Sequence, residues 1–278
     1  MANTTQASEL GAVQKTLLLP LWGRAVETAK ARPLLVDKTA AAILATLDYD
    51  FSTIAKNISP ITRLCWIARS LHTDRTIRDF LARQPDATVV NLGCGLDTTF
   101  ERVDNGALHW IDLDLPDVIE LRKQFIPESA RRECVACSVL DDAWLQRVPA
   151  AKPVFFTASG VLYYLEGAQV QGLFKKLADA FPGCEILFDA CSARGLRMAN
   201  RKVIEAGGMD KSAVLKWAIE RAAEIESWDG RFAVLAEYPM FRGFGRELGA
   251  KARWGMWLSD KLKIMSMIHL RLGNRAAG

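Results

Sequence analysis

Histidine is scarce in this chain, long apolar runs are missing, and neither sign of charge dominates. Each shortage closes a class of function. Three histidines are all that 278 residues supply. His109 and His269 fall in predicted strands and read as structural. His72, on a predicted helix, is the one candidate for a general base, although a satisfied histidine is the better account of it. No apolar run approaches the roughly 18 residues of a membrane span, so no membrane partner is expected. The first residues, Met1 to Ser8, are polar and lack the core of a signal peptide. The net charge is only +4. A mild gathering of cations late in the chain (Lys251, Arg253, Lys261, Lys263, Arg271, Arg275) reads as a solvated face. With no basic stripe and no aromatic–basic motif, no nucleic-acid partner is expected. Cys134-x-x-Cys137 lacks a second pair and lies in a predicted strand, so no metal is expected. The remaining cysteines, Cys65, Cys94, Cys184 and Cys191, complete the pattern of a reduced, cytoplasmic protein. No internal repeat or low-complexity segment is visible.

Half of the residues are hydrophobic, enough for one large α/β domain or a core with a cap. The chain is organised around Thr88-Val89-Val90-Asn91-Leu92-Gly93-Cys94-Gly95-Leu96-Asp97-Thr98. A short β-branched strand turns through two glycines into a helix. Gly93 and Gly95 lack a Cβ, so a nucleotide-like ligand can lie against the backbone and face the free N–H groups of the turn. The third glycine of G-x-G-x-x-G is absent, and Asp97 so near the turn would repel a pyrophosphate. An acid there suits a ligand with a cationic end, an amino acid joined to a nucleoside, such as S-adenosylmethionine. The rival class, a nicotinamide oxidoreductase on the same strand–turn–helix, is disfavoured by both features. About twenty residues on, Leu108 to Pro116 reads as a second strand ending in Asp112 and Asp114. An acid at this point accepts hydrogen bonds from ribose hydroxyls.

Before this core the chain reads as helices. Gly11 to Arg32 carries an apolar stripe with cationic breaks. Asp37 is a plausible N-cap for a helix to Leu47, and Ser59-Pro60 starts another that runs to Leu81. Of its four arginines, Arg63, Arg75 and Arg78 read as solvated. Further strands are expected at Arg132–Ser138, Pro153–Ala158, Glu185–Ala190, Phe232–Glu237 and Lys263–Arg271. Helices are expected at Asp117–Phe125, Gly167–Phe181 and Arg246–Lys261. Ser192 to Trp228 reads as a helical stretch broken at Gly207-Gly208. The alternation predicts a Rossmann-like, mostly parallel seven-stranded sheet with helices on both faces.

The Leu-Gly-Cys-Gly-Leu-Asp-Thr run, Asp114-Leu115-Pro116, and Val154 to Leu165 together resemble the leucine carboxyl methyltransferase family. The closer likeness is to its bacterial branch, the tetracenomycin-type polyketide O-methyltransferases, and Thr16–Ala25 and Leu47–Phe51 share it. The resemblance spans Lys15 to Leu272. It implies a class I S-adenosylmethionine-dependent methyltransferase whose last strand is antiparallel. The expected organisation is an N-terminal helical cap (1–84), a cofactor-binding core (85–191), a helical lid (192–230) and a C-terminal completion of the sheet (231–278). By the family pattern Arg69 grips the cofactor's carboxylate, with Lys15 as a looser helper. Gly93, Cys94, Gly95 and Asp97 lie beneath its amino-acid part. Asp114, with Leu115 beside it, takes the ribose, and Asp112 is the reserve. Ser138, Val139 and Leu140 hold the adenine, although many relatives have Asp where Val139 stands. Ser159 ends the fourth strand below the sulfonium, where many relatives carry Glu. Tyr163 and Tyr164 either pack at a helix start or reach the cleft to touch substrate, and Trp217 sits in the lid as a further substrate contact. The lack of a base favours a carboxylate or acidic hydroxyl on a small, polyketide-like molecule. The alternatives are a peptide or protein C-terminal carboxylate, or a non-catalytic relative that only binds the cofactor.

Overall fold

The computed structural model describes residues 5–6, 17–201, 214–245 and 248–274. Lys15 and the Gly207-Gly208 break lie outside these. The core is a seven-stranded sheet of β1 (Thr88–Leu92), β2 (His109–Asp114), β3 (Arg132–Ala136), β4 (Val154–Ala158), β5 (Cys184–Cys191), β6 (Ala233–Pro239) and β7 (Met265–Leu272). Its order is β3-β2-β1-β4-β5-β7-β6. All pairings among β1 to β5 are parallel, and β7 runs antiparallel to both β5 and β6. The Rossmann-like fold read from the sequence is the fold observed, antiparallel last strand included.

The pleat divides the core in two. Successive side chains of a strand point to opposite faces. Val90, Ile111, Phe156 and Phe188 therefore pack with Phe174 and Leu177 on one side. Val89, Trp110, Phe155 and Leu187 pack with Ile77 and Phe80 on the other. Strands covered on both faces are mostly apolar, and every residue of β1, β4 and β5 is buried, the polar Asn91, Glu185 and Asp189 included.

Among the described residues, four helices precede the sheet: α1 (Leu18–Thr28), α2 (Lys38–Thr46), α3 (Ser52–Asn57) and α4 (Pro60–Arg83). The caps read from the sequence are present. Asp37 accepts the Ala40 N–H, and Ser59 accepts the Thr62 N–H ahead of Pro60. Helix α4 buries Leu64, Ile77 and Phe80 against β1 and β4, each apolar side chain contributing roughly 1.5–3 kcal/mol. Helices α5 (Thr99–Val103), α6 (Pro116–Lys123) and α7 (Gly167–Ala180) link the parallel strands. Glu166 and Gln169 form a capping box at the start of α7.

The stretch after β5 departs from expectation. Its described residues include α8 (Ala193–Ala199) and the single turn α9 (Ala223–Glu226), while residues 214–221 form neither helix nor strand. The reason lies in where the backbone bonds go. Lys216 and Trp217 both donate to Tyr163 O, at 2.6 and 3.1 Å, and Ile219 donates to Cys191 O at 2.9 Å. Asn200 brackets Leu215 through both its amide atoms. Tertiary partners satisfy these groups, so the helical i to i−4 ladder does not form. Finally, α10 (Ala250–Lys261) precedes β7.

Candidate active site

Strand β1 ends in a turn whose geometry demands glycine. Gly93 and Gly95 have φ of +63° and +47°, a region costly for residues with a Cβ. A Cβ on Gly93 would lie 2.5 Å from Val161 Cγ2. Gly95 donates its N–H to Asp114 Oδ2 at 2.7 Å, and Asp114 Oδ1 accepts the Leu115 N–H at 2.8 Å. Burial pushes the Asp114 carboxyl up, against the pull of these two bonds.

Asp97 faces a different environment. Its Oδ2 accepts the Thr99 N–H at 3.1 Å and Asn91 Nδ2 at 3.3 Å. Burial raises its carboxyl, but the Arg24 and Arg102 charges and the Thr99 bond outweigh burial and bring it to about 2. Those arginines are fixed by a buried network. Arg24 Nε and Arg102 Nη1 both reach Asp37 Oδ2 at 2.8 Å. Arg102 also binds Asp74 with two bonds, at 2.8 and 2.9 Å. Arg24 Nη2 donates to Leu96 O at 2.8 Å, so the network grips the glycine turn itself. Asp97 is therefore a fixed negative charge beside the turn, suited to a cationic ligand group.

A cavity of about 600 Å³ opens here. Gly93, Cys94, Gly95, Asp97, Asp114, Leu115, Ser159 and Arg69 line it, as do Tyr163 and Tyr164. Among the arginines of α4, Arg69 is the buried one. Arg75, Arg78 and Arg83 are exposed, and Arg63 is half-buried near the face of Trp22. The other expected residues are not in the cavity wall. Ser138, Val139 and Leu140 form a turn closed on itself. Ser138 Oγ accepts the Leu140 N–H at 3.2 Å, and Lys176 Nζ donates to Leu140 O at 2.9 Å. The turn abuts the site through the Cys137 N–H, bonded to Asp114 O at 2.8 Å. Trp217 is a correction. It packs against Phe188 and Trp228 and against Gly167, in the core on the α7 side of the sheet. Asp112, the reserve, is buried in an ion cluster with Arg122 at 2.9 Å and Arg132 at 2.8 Å, and it also accepts Trp110 Nε1 at 2.9 Å.

None of the three histidines lines the cavity. His72 Nε2 pairs with Met240 O at 2.9 Å between the rings of Tyr238 and Phe244. Burial lowers it to about 4, so it is neutral at physiological pH. His269 Nε2 sits 2.9 Å from Glu185 Oε2. The cavity thiols offer no nucleophile, because burial pushes Cys65 and Cys191 up to about 12. Cys134 and Cys137 are free thiols, and among the described residues no cluster of three or more His, Cys, Asp or Glu forms a metal site.

Three features escaped sequence reading. Arg24 was one of the cationic breaks in the first helix's apolar stripe, and such a break inside a buried face is the signal that marks it. The far wall, from Trp254 to Met265, carries no motif. Asp189 was legible in principle, as the one acid near the end of a run of apolar strand residues. It lies directly behind Arg69, Gly160 and Tyr163.

Residues 18–178, more than half of the chain, match the leucine carboxyl methyltransferase family. The chain belongs to that family. It is a methyltransferase, and its cofactor is S-adenosylmethionine. It is 36% identical over 220 residues to the tetracenomycin polyketide synthesis O-methyltransferase TcmP of Streptomyces glaucescens, covering 78% of this chain and 79% of that protein. It is 28% identical over 278 residues to the S-adenosyl-L-methionine-dependent methyltransferase dpfgK of Gibberella zeae, covering 90% and 92%. Among solved structures, a DUF574 family protein from Streptomyces avermitilis shares the fold with a TM-score of 0.57. That match has 12% identity and covers 90% of this chain and 97% of the other.

Proposed function

We propose that this methyltransferase transfers a methyl group to a carboxylate or acidic hydroxyl of a small, largely apolar molecule of the polyketide kind. The observation that carries this reading is the mixed lining of the cavity. It combines the charged groups Arg24, Arg69, Asp97 and Asp114 with the apolar residues Met198, Leu215, Trp254, Leu258 and Met265. The charged groups suit the cofactor's amino acid and ribose. Arg69 matches a carboxylate, Asp97 a cationic ammonium, and Asp114 the ribose hydroxyls, with the adenine directed towards the Ser138–Leu140 turn. Met198 and Leu215, from the stretch after β5, are among the lining residues. The likeness to an enzyme of polyketide synthesis supports the substrate class.

When bound, the cofactor supplies an electrophilic methyl group on sulfur. The residues of this chain supply placement and dryness. Apolar lining residues reduce hydration of the acceptor, and Tyr163 and Tyr164 line the same cavity. A carboxylate acceptor is ionised at neutral pH and needs no base, which agrees with a wall free of histidine. Mass spectrometry of aromatic acids and phenols incubated with enzyme and cofactor tests the reading. The expected product gains one methyl group. Mild alkali removes it if the product is an ester and leaves it if the product is an aryl ether. A screen in which neither class is methylated, with cofactor binding intact, overturns it.

A further inference from the structure

A carboxylate that does not line the cavity holds three groups that do. Asp189, in β5, is fully buried. Its Oδ2 accepts Arg69 Nη1 at 2.9 Å and the Tyr163 hydroxyl. Its Oδ1 accepts the Gly160 N–H at 2.7 Å. Arg69 comes from α4, Gly160 from the turn after β4, and Tyr163 from the helical turn Leu162–Tyr164. Gly160 has φ +78°, and a Cβ on it would lie 2.7 Å from Arg69 Nη1. Guanidinium, turn and tyrosine are thus packed as one unit around one carboxylate.

We propose that Asp189 is a positioning residue for cofactor binding, acting through Arg69. This rests on the reading of Arg69 as the partner of the cofactor's carboxylate. A guanidinium carries five N–H donors, and the bond from Nη1 to Asp189 leaves the others for a ligand. Arginine has a long side chain with much rotamer freedom to lose on binding. Asp189 removes that freedom in the folded protein, so the fork is already in place when the cofactor arrives. The same carboxylate fixes the Gly160 peptide and the Tyr163 ring. Three lining groups from three elements are therefore held in one register.

The test is a double-mutant cycle read as affinity for S-adenosylhomocysteine by calorimetry on the full chain. Asp189→Asn keeps the side chain's shape and removes its charge, and affinity is expected to fall about tenfold. Arg69→Ala is weaker by itself, and adding Asp189→Asn to it changes affinity by less than about twofold. Should Asp189→Asn fail to fold, Tyr163→Phe replaces it, since it keeps the ion pair and the ring. Tyr163→Phe is expected to weaken binding about threefold in the wild-type background and not at all beside Arg69→Ala. Equal losses in both backgrounds mark a purely structural residue and overturn the proposal, as does unchanged affinity in the single variant. Arg69→Ala binding as tightly as wild type removes the reading of Arg69 itself, and the proposal with it.

Discussion

Gly95 donates its N–H to Asp114 Oδ2 at 2.7 Å, and this bond joins the glycine turn of β1 to the acid that ends β2. Asp114 lines the cavity, whereas Asp112, two residues earlier, is sealed among Arg122, Arg132 and Trp110. The two acids therefore differ in what their loss does. Asp114→Ala should weaken S-adenosylhomocysteine binding by about 1.5–3 kcal/mol, the worth of hydrogen bonds to a charged group, and lose stability only through its bonds to the Gly95 and Leu115 N–H groups. Asp112→Asn should instead destabilise the fold by about 3–5 kcal/mol, because it leaves buried guanidinium groups without their counter-charge. Calorimetry and urea unfolding on both variants check the contrast, and a reversal would exchange the roles of the two acids.

Gly93 sets the second prediction. Its φ is +63°, and Val161 Cγ2 stands 2.5 Å from where a Cβ would be, which leaves no room for a methyl group. Gly93→Ala should lose about 1–3 kcal/mol of stability to backbone strain alone, plus cofactor affinity as the turn shifts. Val161→Ala in the same chain should relieve the clash and leave the strain, so only part of the stability returns. Urea unfolding of the single and double variants checks this, and full recovery would show that the clash and not φ is the cost.

The strands were readable because a strand buried on both faces is mostly apolar, and Val154 to Ala158 and Cys184 to Cys191 are apolar apart from Thr157, Glu185 and Asp189. Gly93, Gly95, Asp97 and Asp114 were readable because a strand–turn–helix site is built from residues close together in the chain. What was hidden depends on partners distant in the chain. Residues 214–221 have a composition compatible with helix, and bonds to Tyr163 O, Cys191 O and Asn200 hold them out of it. Trp217 looks like a lid aromatic until Phe188 and Trp228 claim it for the core. Asp189 acquires meaning only when β5 brings it beside a helix 120 residues earlier.

His72 yields a pH prediction. Burial lowers it to about 4 in the folded protein, from an ordinary value near 6.5. The unfolded chain takes up the proton first as pH falls. Stability is therefore complete above about pH 6.5 and is lost progressively down to about pH 4, by about 3 kcal/mol from this group. Asp97 adds nothing in that window. Its carboxyl, brought to about 2, contributes stability that is present above its ordinary value and lost only as pH falls through the acid range below about 4. His72→Asn can still donate to Met240 O and does not titrate. Urea unfolding between pH 7 and pH 4 should show a slope for wild type that the variant lacks. Cofactor affinity should stay within about twofold in the variant, since the ring faces Met240 and not the cavity. Equal slopes would assign the pH dependence to another group.

Two tryptophans separate packing from recognition. Trp217 is 6% exposed, and its ring packs at a tilt against Phe188 and Trp228 in the core. Trp254 is 63% exposed yet lines the cavity mouth on α10. Removing the first leaves a void that the surrounding rings cannot fill, so Trp217→Ala should lose about 3–5 kcal/mol of stability. Removing the second leaves no void, because water already covers most of the ring. Trp254→Ala should melt within a degree or two of wild type and bind S-adenosylhomocysteine equally well, since Arg69, Asp97 and Asp114 are untouched. The loss should fall on the acceptor. Burying part of an indole against an apolar substrate contributes roughly 1 kcal/mol, so KM for an accepted acid or phenol should rise about fivefold while kcat holds. A fall in kcat at unchanged KM would instead place Trp254 in the closure of the site around the reacting groups, and not in substrate capture.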